Sequence, residues 1–126
     1  MRDEVTTVAE LRQRVADFVA ARDWEKFHAP KNISMALAIE AAELMEHFQW
    51  ITAQASRRVG ADRDKLAAVG EEMADVLCYL LALANELDVD LAETLQAKMV
   101  KNERKYPADE YRGRYGPEDD GDFGLS

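Results

Sequence analysis

The sequence predicts an all-α protein of four helices packed as a bundle. Apolar residues recur at i, i+3 and i+4 along most of the chain. No stretch of usable length alternates apolar and polar residues as a strand would, and no repeat at a solenoid period is present. Capping residues and breakers divide the periodic stretches into four segments of ordinary helix length.

The first segment opens at Thr6 or Thr7, with Glu10 three residues after Thr7 completing a capping box. Val8, Leu11, Val15, Phe18 and Val19 then keep helical rhythm to about Ala21. One apolar face places this helix on the outside of the bundle. The loop Arg22 to Asn32 follows, broken by Pro30, with Asn32 placed to cap the next helix. Trp24, Phe27, His28, Lys31 and Asn32 offer stacking surface, a hydrogen-bonding ring and a cation, a set that suits a nucleotide. Composition alone favours a plainer reading, in which Trp24 and Phe27 plug the bundle end while the polar groups stay solvated.

The second segment, Ile33 to Trp50, is apolar on almost every side and is expected to be buried. AQASRRVGADRDK is read as a polar connection, with Gly60 a breaker and Asp62 an N-cap. The third helix runs from about Arg63 to Leu87. Asp88 or Asp90 starts the fourth, where Asp90 and Glu93 again have capping-box spacing. Its C-terminal half carries Lys98, Lys101, Arg104 and Lys105. These cations complement the helix dipole; Lys98 and Asn102, on one face at i, i+4, could also reach phosphates. Residues 1–106 are therefore expected to form the folded domain, and 107–126 an acidic, Gly/Pro-rich mobile tail with six acids against two arginines.

Bulk properties exclude several classes. An apolar fraction of 48 % beside 33 % charged residues is that of a globular helical protein. A net charge of −9 argues against nucleic-acid backbones and anionic membranes as partners, since both require basic patches. The first residues lack the apolar core of a signal peptide. No charge-free run reaches the roughly 18 apolar residues of a membrane span. A cytoplasmic location is expected. Cys78, the single cysteine, sits in an apolar helix and reads as inert core.

The unusual feature is acidic. Glu40 and Glu43 lie one turn apart inside the second helix, and Glu72 and Asp75 repeat that spacing inside the third. At i, i+3 each pair shares one face. No lysine or arginine interrupts either apolar run, so the carboxylates have no cationic partner within their own helices. Antiparallel packing would set the pairs opposite one another, and a divalent metal is the economical way to hold them. All-carboxylate ligand sets suit hard cations, Mg²⁺ with Mn²⁺ as a substitute. Di-iron bundles need Glu-x-x-His from two helices; here Glu43 and His47 are four apart, and the chain does not carry two such motifs. Tyr79 follows Glu72 by two turns and shares its face. An acidic metal site beside an aromatic loop and a basic helix end points to a phosphate anhydride or ester as substrate.

Four segments, RDWEKFHAPKN, IEAAELMEHFQW, EEMADVLCYLLAL and KMVKNERKYP, spanning Arg22 to Pro107, resemble the MazG-like all-α nucleoside triphosphate pyrophosphohydrolases, and within them the dCTP pyrophosphatase branch. The resemblance implies a four-helix MazG-like bundle that assembles as a dimer or dimer of dimers. It implies Glu40, Glu43, Glu72 and Asp75 as magnesium ligands. Trp24, Phe27, His28 and Asn32 would contribute to substrate binding at the base and sugar, and Tyr79, Lys98 and Asn102 would hold triphosphate or sugar. The implied reaction splits the α–β anhydride of a nucleoside triphosphate into monophosphate and pyrophosphate, a housecleaning step favouring dCTP-like or modified pyrimidine substrates. Two departures bear on base choice: Val15 stands where eukaryotic dCTP-hydrolysing relatives have histidine, and the connection after the second helix lacks their tryptophan. Many MazG-like relatives also carry a Glu doublet where this chain has Ile39-Glu40. The general base is open between Glu43 and Glu71. The rival readings are a phosphoribosyl-ATP pyrophosphohydrolase and a non-catalytic, metal-stabilised helical interaction module.

Overall fold

A computed structural model describes residues 1–114 of the chain; the remainder of the expected tail, 115–126, lies outside the described residues. Among the described residues every regular element is helical: α1 (Val8–Ala21), α2 (Pro30–Glu46), α3 (Ala53–Ser56), α4 (Arg63–Leu87), α5 (Leu91–Lys105) and α6 (Ala108–Tyr111). Single 3₁₀ turns occupy Glu25–Phe27 and Val59–Ala61. The four long helices are those the periodicity predicts. The chain divides into two compact units, Met1–Val89 and the part from Asp90 onward.

In the first unit, α1 begins with the expected capping box. Thr7 Oγ1 accepts from the Glu10 backbone N–H at 3.1 Å, and Glu10 Oε2 accepts from the Thr7 N–H at 2.6 Å. Two orphan donors of the helix start are thereby satisfied. The helix stops where Asp23 takes a left-handed conformation (φ 52°), which an aspartate tolerates better than most side chains.

The start of α2 differs from expectation. Its N-cap is Ala29 and Pro30 occupies the first helical position, so Asn32 lies inside the first turn. Proline fits there because the N–H it lacks would have no helical partner and its φ is already helical. Asn32 instead donates from Nδ2 to the Phe27 carbonyl at 3.4 Å. The helix also ends sooner than Trp50: after Glu46 the chain leaves through tight turns, Phe48 and Gln49 both donating to the Met45 carbonyl. The connection after it is more structured than its polarity implies. Thr52 caps α3 by accepting from the Ala55 N–H at 3.0 Å, and Asp62 caps α4 as expected, accepting from the Lys65 N–H at 3.1 Å.

The 25-residue α4, about 37 Å long at 1.5 Å per residue, is the spine of this unit. Both α1 and α2 pack on it, α2 more extensively. Val19 from α1, Ile33 from α2 and Val69, Leu81, Ala82 and Ala84 from α4 form the buried core. At the far end of α4, Arg12 of α1 closes the helix. Its Nε donates to Asn85 Oδ1 (3.0 Å), Nη1 to the Val89 carbonyl (2.8 Å) and Nη2 to the Ala84 carbonyl (3.2 Å), while Asn85 Nδ2 donates back to the Arg12 carbonyl (3.0 Å).

Burial corrects another expectation. The second helix is not sequestered within the chain: Ile33 alone in α2 is fully buried, while Met35, Ile39 and Met45 stay exposed and Trp50 beyond the helix is 87 % exposed. The stripe Leu66, Met73, Leu77 and Leu80 on α4 is exposed as well. A face that apolar is left over because α2 has a single long neighbour to pack on, whereas its sequence could line a core from several sides.

In the second unit, Asp90 caps α5 by accepting from the Glu93 N–H at 2.9 Å. The short α6 lies within the segment expected to lack periodicity. The rings of Tyr106 and Tyr111 meet edge to face with centroids 5.2 Å apart. That contact spans Pro107, which gives α6 its N-cap.

Candidate functional site

The two acidic pairs come from the helices that pack most closely. Carboxylate oxygens of Glu40 and Glu43 from α2 and Glu72 from α4 all lie within 4.8 Å of one another, a spacing a metal ion could bridge. Glu40 Oε2 and Glu72 Oε2 are shut off from solvent and, among the described residues, find no hydrogen-bond partner. An orphaned buried carboxylate oxygen is costly unless something not shown in the structure meets it. A divalent cation fits this donor set of hard oxygens. Asp75, one turn beyond Glu72 and exposed, stands outside this set of three, but its charge still bears on Glu40 and Glu72.

Crowding like charges changes how readily these groups ionise. A proton that Glu40 would share in a hydrogen bond with the Glu43 carboxyl, then burial, then the charges of Glu43 and Asp75 push the Glu40 carboxyl up to about 7. Burial, followed by the charge of Glu43, raises Glu72 as well. Without a cation the cluster therefore retains a proton near neutrality. Glu71, on an exposed part of α4, is not among the three clustered acids.

Beside this cluster α1, the turn after it and α4 enclose a cavity of about 100 Å³. It is lined by Val15, Phe18, Trp24, His28, Cys78 and Tyr79, among others. The left-handed Asp23 reverses the chain so that Trp24 meets Phe18 edge to face, with centroids 5.7 Å apart. Arg22 lies over the Phe18 ring at 3.7 Å. Tyr79 connects the two features. It lines the cavity, and its hydroxyl is raised first by burial and next by the charge of Glu40. Burial and then Asp75 raise the Cys78 thiol. An adjoining cavity of about 130 Å³ shares Val15, Val19 and His28 and adds Glu25, Asn85 and Glu86.

The structure thus brings Trp24, His28 and Tyr79 to one cavity and Glu40, Glu43 and Glu72 to one cluster. Phe27 and Asn32 do not line the cavity: Phe27 is 60 % exposed with Lys26 Nζ 5.5 Å from its ring centre, and Asn32 is held by the Phe27 carbonyl. Lys98 and Asn102 belong to the second unit, four residues apart on α5, with Asn102 Nδ2 3.9 Å from Met99 Sδ. Sequence reasoning missed Phe18 and Asn85 as cavity residues. Phe18 reads as one more apolar position of α1, and Asn85 is matched to its partner Arg12 across 73 residues, a distance at which spacing carries no signal.

The chain is similar over most of its length to known proteins. The MazG-like family profile matches residues 35–115. Human dCTP pyrophosphatase 1 is 45 % identical over 102 residues, which cover 81 % of this chain and 60 % of the human protein. The mouse dCTP pyrophosphatase 1 is 41 % identical over 107 residues, 85 % of this chain and 63 % of the mouse protein. The chain thus spans somewhat under two thirds of these relatives' length. The crystal structure of a pyrophosphatase from Archaeoglobus fulgidus DSM 4304 superposes with a TM-score of 0.74 at 39 % identity, covering 85 % of this chain and 98 % of that one. With two acid-bearing helices packed face to face and a family profile over most of its length, this chain belongs to the MazG-like family.

Proposed function

We propose that the protein hydrolyses the α–β phosphoanhydride of (deoxy)nucleoside triphosphates, releasing a nucleoside monophosphate and pyrophosphate as a nucleotide-pool housecleaning step. The observation that carries this reading is the pair of orphaned oxygens, Glu40 Oε2 and Glu72 Oε2, packed with Glu43 beside an aromatic cavity. The names of the dCTP pyrophosphatase relatives support the substrate class, with dCTP-like or modified pyrimidine deoxynucleotides favoured.

In this reading Glu40, Glu43, Glu72 and Asp75 hold Mg²⁺, for which Mn²⁺ can substitute. When bound, the cation neutralises phosphate oxygens and makes a water more acidic. Trp24 and His28 receive the base, with Phe27 and Asn32 completing the loop around the nucleoside. Tyr79 lines the cavity and feels the charge of Glu40, and in this reading its hydroxyl donates to the sugar or the first phosphate. Lys98 and Asn102 hold the triphosphate, Lys98 countering charge that develops on the departing pyrophosphate. The proton of the attacking water goes to a carboxylate, with Glu43 and Glu71 the two candidates.

The exposed apolar side chains of α2 and α4 support self-association as a dimer or tetramer, since a single chain rarely leaves so many large apolar residues uncovered. Among the described residues no helix is long and apolar enough to cross a membrane. The proposed location is cytoplasmic, with neither nucleic acid nor membrane as partner.

The test is pyrophosphate release from a panel of standard and modified NTPs and dNTPs, with Mg²⁺, with Mn²⁺ and with EDTA. Cation-dependent release with a matching monophosphate is the expected result. Turnover of phosphoribosyl-ATP alone would reassign the substrate. No turnover at all, with a large loss of thermal stability on chelation, would favour a structural metal site instead.

A further inference from the structure

We propose that Glu25 and Glu86 are specificity-determining residues, which make the site prefer a pyrimidine bearing an exocyclic amine over one bearing an oxo group at the same position. The inference rests on the pyrophosphohydrolase reading above and concerns the cavity next to the aromatic one. Its lining joins apolar residues, Val15 and Val19 among them, with polar Glu25, His28, Asn85 and Glu86. The two carboxylates come from different elements: Glu25 opens the 3₁₀ turn that follows Trp24, and Glu86 lies in the last turn of α4. Both are exposed and neither has an ion-pair partner among the described residues. Nor do they belong to a metal-type cluster, which among the described residues comprises Glu40, Glu43 and Glu72. Asn85 cannot turn freely, because Arg12 engages both ends of its amide.

Two carboxylates in such a lining offer hydrogen-bond acceptors. An amino-pyrimidine presents N–H groups to them, whereas an oxo-pyrimidine presents lone pairs at the same place and leaves a carboxylate facing an acceptor. Carboxylates pair with the cytosine amine in just this sense when proteins read base edges. A base lying against Val15 and Val19 would take the place of water in the cavity, so a mismatched edge also forfeits the hydrogen bonds that water made.

The experiment compares kcat/KM for dCTP and dUTP in the wild type, Glu25→Gln, Glu86→Gln and the double variant. Glutamine keeps the shape and adds a donor that an oxo group can accept. The wild type is expected to favour dCTP, and the double variant to lose roughly tenfold or more of that ratio, through KM for dCTP. A parallel titration of dCMP and dUMP, followed by tryptophan fluorescence, should show the same change in affinity ratio without turnover. An unchanged ratio in the double variant, or no amine preference in the wild type, would overturn the proposal. Absence of hydrolysis with the monophosphate preference intact would overturn the enzymatic reading and leave the role of these two glutamates standing.

Discussion

Removing the Arg12 side chain should loosen the join between α1 and the end of α4. Arg12→Ala deletes three hydrogen bonds, to Asn85 Oδ1, the Val89 carbonyl and the Ala84 carbonyl, all part-buried. A hydrogen bond from a charged donor contributes about 1.5–3 kcal/mol, and a single net bond nearer 1. Solvent can reach this site and replace part of what is lost, so the three together should be worth about 2–3 kcal/mol rather than their sum. Alanine also leaves the Ala84 carbonyl with only the local chain to satisfy it, through the Asp88 N–H and the Val89 N–H, the latter at 3.0 Å. For a chain of this size the loss corresponds to a fall in Tm of roughly 6–12 °C. Urea denaturation followed by circular dichroism should show a lower midpoint with the slope unchanged. Combining Arg12→Ala with Asn85→Ala should give less than the sum of the two, with a coupling of about 1 kcal/mol or more. A loss below about 0.5 kcal/mol, or strict additivity, would refute the view that this contact fastens α1 to α4.

Other outcomes are expected from the same structure. Glu43→Gln and Asp75→Asn should each abolish pyrophosphate release while keeping the far-ultraviolet helical signal; retained activity in both would remove the acidic cluster from the chemistry. Because Glu40 is raised to about 7, the metal-free fold should be favoured at low pH and lose that contribution as pH rises from the unfolded value of 4.5 through about 7. Cation binding displaces the retained proton, so the Tm gain from Mg²⁺ or Mn²⁺ should be larger at pH 8 than at pH 6; an equal or reversed gain in differential scanning fluorimetry would contradict this. Thr7→Ala, which removes the capping box of α1, should cost about 1 kcal/mol, read as a lower urea midpoint. Cys78, raised by burial and by Asp75, should react with iodoacetamide at pH 7.5 more slowly than an unstructured cysteine peptide, and equal rates would refute its shielding.

Local chemistry determined much of this protein without reference to a fold. Thr7, Asp62 and Asp90 start their helices because a short side-chain oxygen can meet an N–H two or three residues on, and that depends on a handful of neighbouring residues. The helical period located α1, α4 and α5, and the acids at i, i+3 had to share a helix face whatever packed against it. Pro30 marks a break without saying whether it ends the loop or begins the helix. Its ring serves equally well as a first helical residue, so the boundary was ambiguous in sequence.

The remaining features required distant residues to meet. That Glu72 joins Glu40 and Glu43, leaving two oxygens orphaned, follows from how α2 lies along α4. Asn85 and Arg12 find each other only once α1 folds back on the end of α4. Apolar composition also overstated burial, since hydrophobicity states what a face avoids but not whether one chain has enough neighbouring helix to cover it. Ile39, Met73 and Leu77 remain exposed for that reason, while Ile33, on the same helix as Ile39, is closed in. Helix and cap are decided by residues within one turn of each other, whereas site and core are decided by contacts between residues tens of positions apart.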